Sequence, residues 1–177
     1  AIRREAAPPA VISIPGCPAS VVAIACGDEA APGQIAALLE DGRFAFIRRD
    51  PGRDRVVSPP DEETDARAIA IVGPSRGVTG DALGLTLWDT TADPARVLAR
   101  EPCGPVSALE PVSSGGSARA LVVGLRDGRL LRASIGDDLR IDRTLAAPRR
   151  GAAIAALVAI PAGQEIAIAR RDGPAAR

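Results

Sequence analysis

The sequence contains no His, Lys, Asn, Tyr or Met, and its aromatic content is only 2%. Without His, the chain lacks the commonest zinc ligand and the usual general base of hydrolytic enzymes. With so few aromatics, the core must consist mainly of small aliphatic side chains, which supply most of the 46% hydrophobic content. Lys, Asn, Tyr and Met have AT-rich codons, so we infer a GC-rich genome and expect a bacterial source.

The chain has no excess charge, because 22 acidic residues balance 22 basic ones. No overall field would therefore attract nucleic acid or an anionic membrane, and we predict neither as a partner. Three arginine pairs are local features without aromatic residues to stack on bases, so we interpret them as solvated surface: Arg48-Arg49, Arg149-Arg150 and Arg170-Arg171. No apolar run reaches the length of a membrane helix, about 20 residues, and no signal peptide is evident. We expect a cytoplasmic protein.

Cysteine is scarce and irregularly spaced. Cys17, Cys26 and Cys103 are odd in number and form no C-x-x-C motif. This pattern indicates neither a zinc site nor a disulfide framework. We therefore expect buried free thiols in a reducing compartment, and no metal or other cofactor.

Glycine and proline are abundant and spread along the chain, with 18 and 16 residues respectively. They leave few uninterrupted stretches long enough for a helix, although Ala and Leu favour helix intrinsically. The composition therefore predicts an all-β fold rather than a mixed α/β fold.

A turn that contains Asp, close to an apolar strand, recurs along the sequence. The turns begin at Asp41, Asp81, Asp127 and Asp172, with spacings of 40, 46 and 45 residues. A period of about 40 to 45 residues is typical of a four-stranded propeller blade. We therefore predict one domain of about three to four antiparallel β-propeller blades, each with four strands, which need not form a complete ring.

Apolar runs around these turns predict the individual strands. Runs that end in a turn are Gln34–Leu39, Ala68–Val72, Ala120–Leu125 and Ile166–Ala169. Runs one strand earlier are Val21–Cys26, Val106–Leu109 and Ile154–Ile160, and shorter outer strands are expected at Arg55–Val57, Ala95–Ala99 and Leu139–Leu145. The second repeat lacks an obvious first strand, because Ser58–Asp65 is polar and Pro-rich. The predicted blades span residues 18–58, 59–101 and 104–146, with a partial fourth blade over 150–177.

One repeat carries a specific motif. Leu85-Thr86-Leu87-Trp88-Asp89 resembles the third strand of a WD repeat, which ends in a Trp-Asp dipeptide. The other copies have Ile47-Arg48 and Ala133-Ser134 at this position. In the WD family a turn Asp, the strand Trp, a Ser or Thr and a His form a hydrogen-bonded tetrad, and here the His is missing. The resemblance implies a β-propeller that binds proteins. Because Trp88 ends an apolar alternation and is a large side chain in an Ala-rich core, we also predict that it is buried between blades.

The final repeat is incomplete, because Asp172-Gly173 is followed by only four residues of the sequence. We expect a segment of a larger propeller. In the alternative, residues 10–15, which include Val11–Ile14, complete the last blade as a ring closure. An open ring would expose an apolar flank at Ile154–Ile160 and Ile166–Ile168, so we predict self-association through open blade edges.

Several motifs could suggest chemistry, but their context argues against it. Residues 73–77 match the G-x-S-x-G nucleophile elbow, yet no helix is predicted after them and no His can activate Ser75, so we interpret them as a tight turn. The acidic run Asp61–Asp65 lacks the spacing of a calcium loop. The carboxylates Asp137, Asp138 and Asp142 are too scattered to predict an acid–base pair. The glycine pair Gly115-Gly116 is too short to predict a phosphate-binding loop. We assign no catalytic, cofactor-binding or metal-binding residue.

The expected function follows from fold-level analogy alone. We expect a non-catalytic protein-interaction or sensing module in a larger bacterial signalling or scaffold protein. One alternative is a propeller enzyme, a hydrolase or a quinoprotein-like protein, whose site lies outside this segment. Another is a structural segment of a large assembly.

Overall fold

The computed structural model describes residues 20–27, 31–50, 53–59, 65–112, 120–147, 152–160 and 165–172. Within these ranges the chain forms fourteen β-strands and no helix. The strands build four antiparallel sheets, three of four strands and one of two. The prediction of an all-β fold with four-stranded antiparallel sheets is confirmed.

The strands follow one another in chain order, and each pairs antiparallel with the next strand in its sheet. Sheet one contains β1 (Val21–Cys26), β2 (Gln34–Leu39), β3 (Phe44–Asp50) and β4 (Arg53–Val57). Sheet two contains β5 (Ala68–Gly73), β6 (Arg76–Gly80), β7 (Gly84–Asp89) and β8 (Arg96–Pro102). Sheet three contains β9 (Val106–Val112), β10 (Ala120–Leu125), β11 (Leu130–Ile135) and β12 (Leu139–Ala146). Sheet four contains β13 (Ala152–Ile160) and β14 (Glu165–Asp172).

The first strands of consecutive sheets lie side by side, with β5 against β1 and β9, and β9 against β13. The later strands extend outward from this inner row, in the manner of propeller blades. The described sheets do not close into a ring. Residues 10–15 and the turn residue Gly173 lie outside the described residues, as does the run Asp61–Thr64.

Sheet two corrects the strand assignment made from the sequence. Ala68–Val72 was predicted as the second strand, but β5 is the first strand of its sheet. The second strand is β6, over residues 76–80, for which no strand was predicted from the sequence. Gly77 and Gly80 weaken the apolar pattern of β6, because glycine has low strand propensity. The repeat therefore has a first strand, and it begins after the Pro-rich stretch rather than within it.

Residues 73–77 form the tight turn expected from the sequence. Pro74 and Ser75 turn the chain between β5 and β6, so strand follows strand. A nucleophile elbow requires a helix at that point. The interpretation of this motif as a hairpin turn is confirmed.

The turns at Asp41 and Asp127 share one geometry. In each, the carboxylate accepts a hydrogen bond from the backbone N–H two residues later, at 3.1 Å from Arg43 and 2.9 Å from Arg129. Gly42 and Gly128 follow with φ of 85°, a left-handed conformation that favours glycine. This is the three-residue hairpin loop that ends in a glycine bulge. The Asp-Gly-Arg sequence thus fixes the same hairpin in sheets one and three.

Neighbouring sheets pack by placing a branched side chain against a glycine. A Cβ on Gly80 would lie 2.3 Å from Val106 Cγ1, and one on Gly124 would lie 2.4 Å from Ile154 Cγ2. In both cases the glycine is on the second strand of one sheet and its partner begins the next sheet. Val106 and Ile154 are fully buried as a result. The glycines that obscured β6 in the sequence therefore have a packing role.

The three aromatic side chains of the chain meet between sheets one and two. The rings of Phe44 and Trp88 are 5.2 Å apart in an edge-on arrangement, and Phe46 lies 5.6 Å from Phe44. Trp88 is 1% exposed, and its indole Nε1 donates to Thr79 Oγ1 at 2.8 Å. The prediction that Trp88 is buried between sheets is confirmed.

Large apolar side chains are exposed where the row of sheets ends. On β1 these are Val21, Val22 and Ile24, and at the other end Val158 of β13 and Ile168 of β14. The expected flank at Ile154–Ile160 is only partly open, because Ile154 and Leu157 are buried against sheet three. An apolar surface is therefore present at both ends of the described row.

We expect Trp88→Ala to destabilise the fold by roughly 3 to 5 kcal/mol, since it removes the largest buried side chain. Thr79→Val preserves the shape but leaves the buried indole N–H without an acceptor, and should destabilise by about 1 to 3 kcal/mol. Urea unfolding followed by circular dichroism measures both changes. The exposed change Leu83→Ala is the control, expected within about 0.5 kcal/mol of wild type. Wild-type emission typical of exposed indole would contradict the burial of Trp88.

Candidate functional site

The hairpin turns between the second and third strands form a connected row along one end of the molecule. We call this the turn row; it comprises residues 40–43, 81–84 and 126–129. Backbone bonds join the first two turns to the start of the next sheet: Ala66 N–H donates to Gly42 O at 3.1 Å, and Val106 N–H donates to Asp81 O at 2.8 Å. Arg126 N–H donates to Pro105 O at 2.9 Å, which continues the row into sheet three. The turns are therefore held in fixed relative positions.

Two turns of this row present internally paired charges. Arg43 Nε donates to Asp41 Oδ2 at 2.7 Å, and Arg129 Nε donates to Asp127 Oδ2 at the same distance. The hydrogen bond from the Arg43 side chain lowers the pKa of Asp41. Because the pairs are exposed, they orient the side chains more than they stabilise the fold.

The middle turn differs, because it presents an apolar side chain. Leu83 is 78% exposed, the highest value among the large exposed hydrophobic residues. Its backbone is nonetheless firmly held: Leu83 N–H donates to Asp81 Oδ1 at 2.6 Å, and its carbonyl accepts from Cys103 N at 3.2 Å and Gly104 N at 3.1 Å. The turn row therefore carries a rigid exposed leucine flanked by two Asp–Arg pairs.

A second candidate surface is an open groove along the first strands of the four sheets. Its volume is about 990 Å³, and β1, β5, β9 and β13 all line it. Most lining side chains are aliphatic, and the charged or hydroxyl-bearing ones are Arg67, Ser107, Glu110 and Arg171. In a propeller this position corresponds to the central channel, where ligands of propeller enzymes would bind.

The polar groups of the groove make bonds within the protein. Ser107 Oγ donates to Ile154 O at 2.6 Å and also lies 3.2 Å from Gly124 O. Glu110 Oε1 accepts from the Ala159 backbone N–H at 2.8 Å. Burial raises the pKa of Glu110, and the bond from Ala159 partly offsets this effect. Both residues therefore connect sheet three to sheet four.

The carboxylates singled out in the sequence do not form an acid–base pair. Asp142 accepts from Arg132 Nη1 and Ser134 Oγ, each at 2.8 Å, on the face of sheet three. Asp138 pairs with Arg140 at 2.7 Å, and Asp137 lies 3.7 Å from Arg76. Each of these carboxylates is thus placed beside an arginine, which is the arrangement of structural ion pairs.

The cysteines depart in part from expectation. Cys26 and Cys103 are free, but Cys26 is exposed rather than buried, because β1 is the end strand of the row and no described sheet covers it. Cys103 is half-buried, and burial raises the pKa of its thiol to about 11. Cys17 lies outside the described residues. In the described part of the chain, no group of three or more His, Cys, Asp or Glu residues could hold a metal ion.

The arginine pairs have different surroundings. Arg48 and Arg49 are exposed on β3, and both make interactions within the protein. Arg170 Nη1 donates to Gly128 O at 3.1 Å, which joins β14 to the turn row, and Arg171 lines the groove. Arg149 and Arg150 lie outside the described residues.

The Trp-Asp dipeptide is also a structural element. Asp89 Oδ1 accepts from the backbone N–H of Thr91 at 2.8 Å and from its hydroxyl at 2.6 Å. The Thr91 side-chain bond, followed by its backbone bond, lowers the pKa of Asp89. The dipeptide thus contributes a buried indole to the sheet interface and a turn-stabilising carboxylate after β7.

Sequence reasoning did not identify Leu83 or Glu110. The repeated pentapeptide Leu-x-Asp-Gly-Arg, at 39–43 and 125–129, is the signal that marks the turn row. The middle repeat departs from it, and that departure places Leu83 at the tip. Glu110 gives no sequence signal, because its partner is a backbone group on a distant strand.

Neither the scan against protein-family models nor the search of curated proteins finds a match to this chain. Among the described residues, no helix is long and apolar enough to cross a membrane.

Proposed function

We propose that this chain is a non-catalytic protein-interaction module of the WD-repeat type, within a larger cytoplasmic signalling or scaffold protein of a bacterium. The hydrogen bond from Trp88 Nε1 to Thr79 Oγ1 supports the WD resemblance, since it corresponds to the Trp and Ser/Thr half of that family's tetrad. The Asp of the tetrad has a different role here: Asp81 accepts from Leu83 and Gly84 within its own turn.

The observation that carries the proposal is Leu83, a rigid and 78% exposed leucine at the centre of the turn row. Because its backbone is already fixed by hydrogen bonds, little backbone conformational entropy would be lost when a partner covers the side chain. The flanking Asp–Arg pairs would form a polar rim around this apolar contact, as in many protein interfaces. The partner surface we propose is a small apolar pocket.

A non-catalytic role is supported by the chemistry of the groove. Ser107 and Glu110 hydrogen-bond to backbone groups of the neighbouring sheet, and neither has a His to act with, since the chain contains none. Two alternative functions are retained: a propeller enzyme with its site elsewhere in a longer protein, and a structural segment of a large assembly.

We expect Leu83→Asp to weaken partner binding about tenfold or more, which corresponds to roughly 1.4 kcal/mol. Peptide ligands selected from a phage-displayed library on the immobilised wild-type chain are the probe, and titration calorimetry gives their Kd values. Leu98→Asp is the matched control, because Leu98 is also an exposed leucine but lies on the outer strand β8. Ligands that bind both variants like wild type, or lose affinity equally for both, would contradict the proposal.

Self-association is a second proposal, and the exposed apolar side chains of β1, β13 and β14 support it. A contact through sheet four would cover Val158, which is 58% exposed, and Ile168. We expect the sedimentation coefficient of the wild-type chain to rise with concentration. Val158→Asp should reduce this rise, and Leu98→Asp should not. A wild-type chain that sediments as a monomer at every concentration would rule out self-association.

A further inference from the structure

Sheet four, with its two strands, is attached to sheet three through a mixed apolar and polar contact. Ile154 fits against Gly124, and Leu157 is buried in the same cluster. Ser107 and Glu110, both on β9, add two hydrogen bonds to β13. These bonds hold β13 near its beginning, at Ile154, and near its end, at Ala159.

The two polar contacts differ in one chemical respect. The Ser107 hydroxyl stays neutral over the physiological pH range, whereas the Glu110 carboxyl can gain or lose a proton. β9 packs against β10, β13, β5 and β6, and the first three contribute no ionisable side chain. The remaining charged groups to consider are Arg76 on β6, which pairs with Asp137, and Arg67 and Arg171, which line the groove. Burial is therefore the main influence on the pKa of Glu110.

The direction of the pH effect follows from this burial. Because the pKa of Glu110 is raised in the folded state, its carboxyl binds a proton more tightly when sheet four is attached than it would when exposed to solvent. The stabilisation is fully present below the ordinary Glu pKa of about 4.3, and it is lost as the pH rises through the raised value. A protonated carboxyl still has a carbonyl oxygen to accept the Ala159 N–H, so the bond itself can persist in acid.

We propose that Glu110 is a proton-sensitive latch that fastens sheet four to sheet three and so controls how firmly one wall of the groove is held. Protonation strengthens the attachment, and ionisation loosens it. The latch is independent of the proposed role of Leu83. Glu110 joins the first strands of sheets three and four, whereas Leu83 lies in the turn between the second and third strands of sheet two.

Hydrogen–deuterium exchange of the whole chain, read by mass spectrometry and corrected for intrinsic pH dependence, tests the latch. In wild type, we expect protection of residues 152–160 to rise as the pH falls from about 7 to about 4, by no more than about tenfold per pH unit because a single proton is bound. Residues 34–39 of sheet one are the internal control, and their protection should not follow the same curve.

Three variants separate the latch from a purely structural contact. Glu110→Gln mimics the protonated form, so protection of 152–160 should be high and independent of pH. Glu110→Ala removes the acceptor and should leave protection low and flat, whereas Ser107→Ala should lower protection at every pH but keep the wild-type slope. A flat wild-type curve, a wild-type slope retained in Glu110→Gln, or protection that falls on acidification would each overturn the proposal.

Discussion

The structure depends on one kind of contact, in which a branched side chain at the start of a sheet occupies the space left by a glycine in the preceding sheet. Val106 fits against Gly80 and Ile154 against Gly124, and a single methyl group at either glycine would collide with its partner. With only three aromatic residues, the chain has few large side chains to fill wider gaps. Close approach of the sheets is therefore the way in which this aliphatic core reaches the density of a protein interior.

The contact between sheets also positions both candidate surfaces. It sets the spacing of the first strands, which line the groove, and it brings the hairpin turns into one connected row. The two surfaces differ in rigidity. The turn row is held by backbone bonds from sheet to sheet, whereas the sheet-four wall of the groove has only two described strands and is attached through Ile154, Leu157, Ser107 and Glu110. We infer that the turn row is the better surface for binding a partner, and that the sheet-four wall of the groove is the part whose attachment can change.

Much of the fold could be predicted from the sequence, because strand and turn signals are local. The Asp-Gly turns at Asp41 and Asp127 coincide with observed hairpins, and the apolar runs Val21–Cys26, Gln34–Leu39 and Ala120–Leu125 coincide with observed strands. β6 was not predicted because Gly77 and Gly80 have low strand propensity. Their role in packing depends on Phe46 and Val106, which lie on other sheets and occupy the space that a Cβ would need. Glu110 and Leu83 could not be predicted from the sequence for the same reason. Long-range contacts determine the surroundings of Glu110 and hold the backbone of Leu83 in place.

A double-mutant cycle at Gly124 and Ile154 tests the central claim most directly. We expect Gly124→Ala to destabilise the fold by roughly 1 to 3 kcal/mol through overpacking, and Ile154→Ala by about 2 to 5 kcal/mol through the cavity it creates. The double variant should be more stable than the sum predicts, by about 0.5 kcal/mol or more, because loss of Ile154 Cγ2, the atom nearest the new methyl group, leaves space into which the two residues can shift. Gly136→Ala, where a Cβ meets no atom within 4 Å, is the control and should stay within about 0.5 kcal/mol of wild type. Strictly additive effects at Gly124 and Ile154, measured by urea unfolding, would contradict the account.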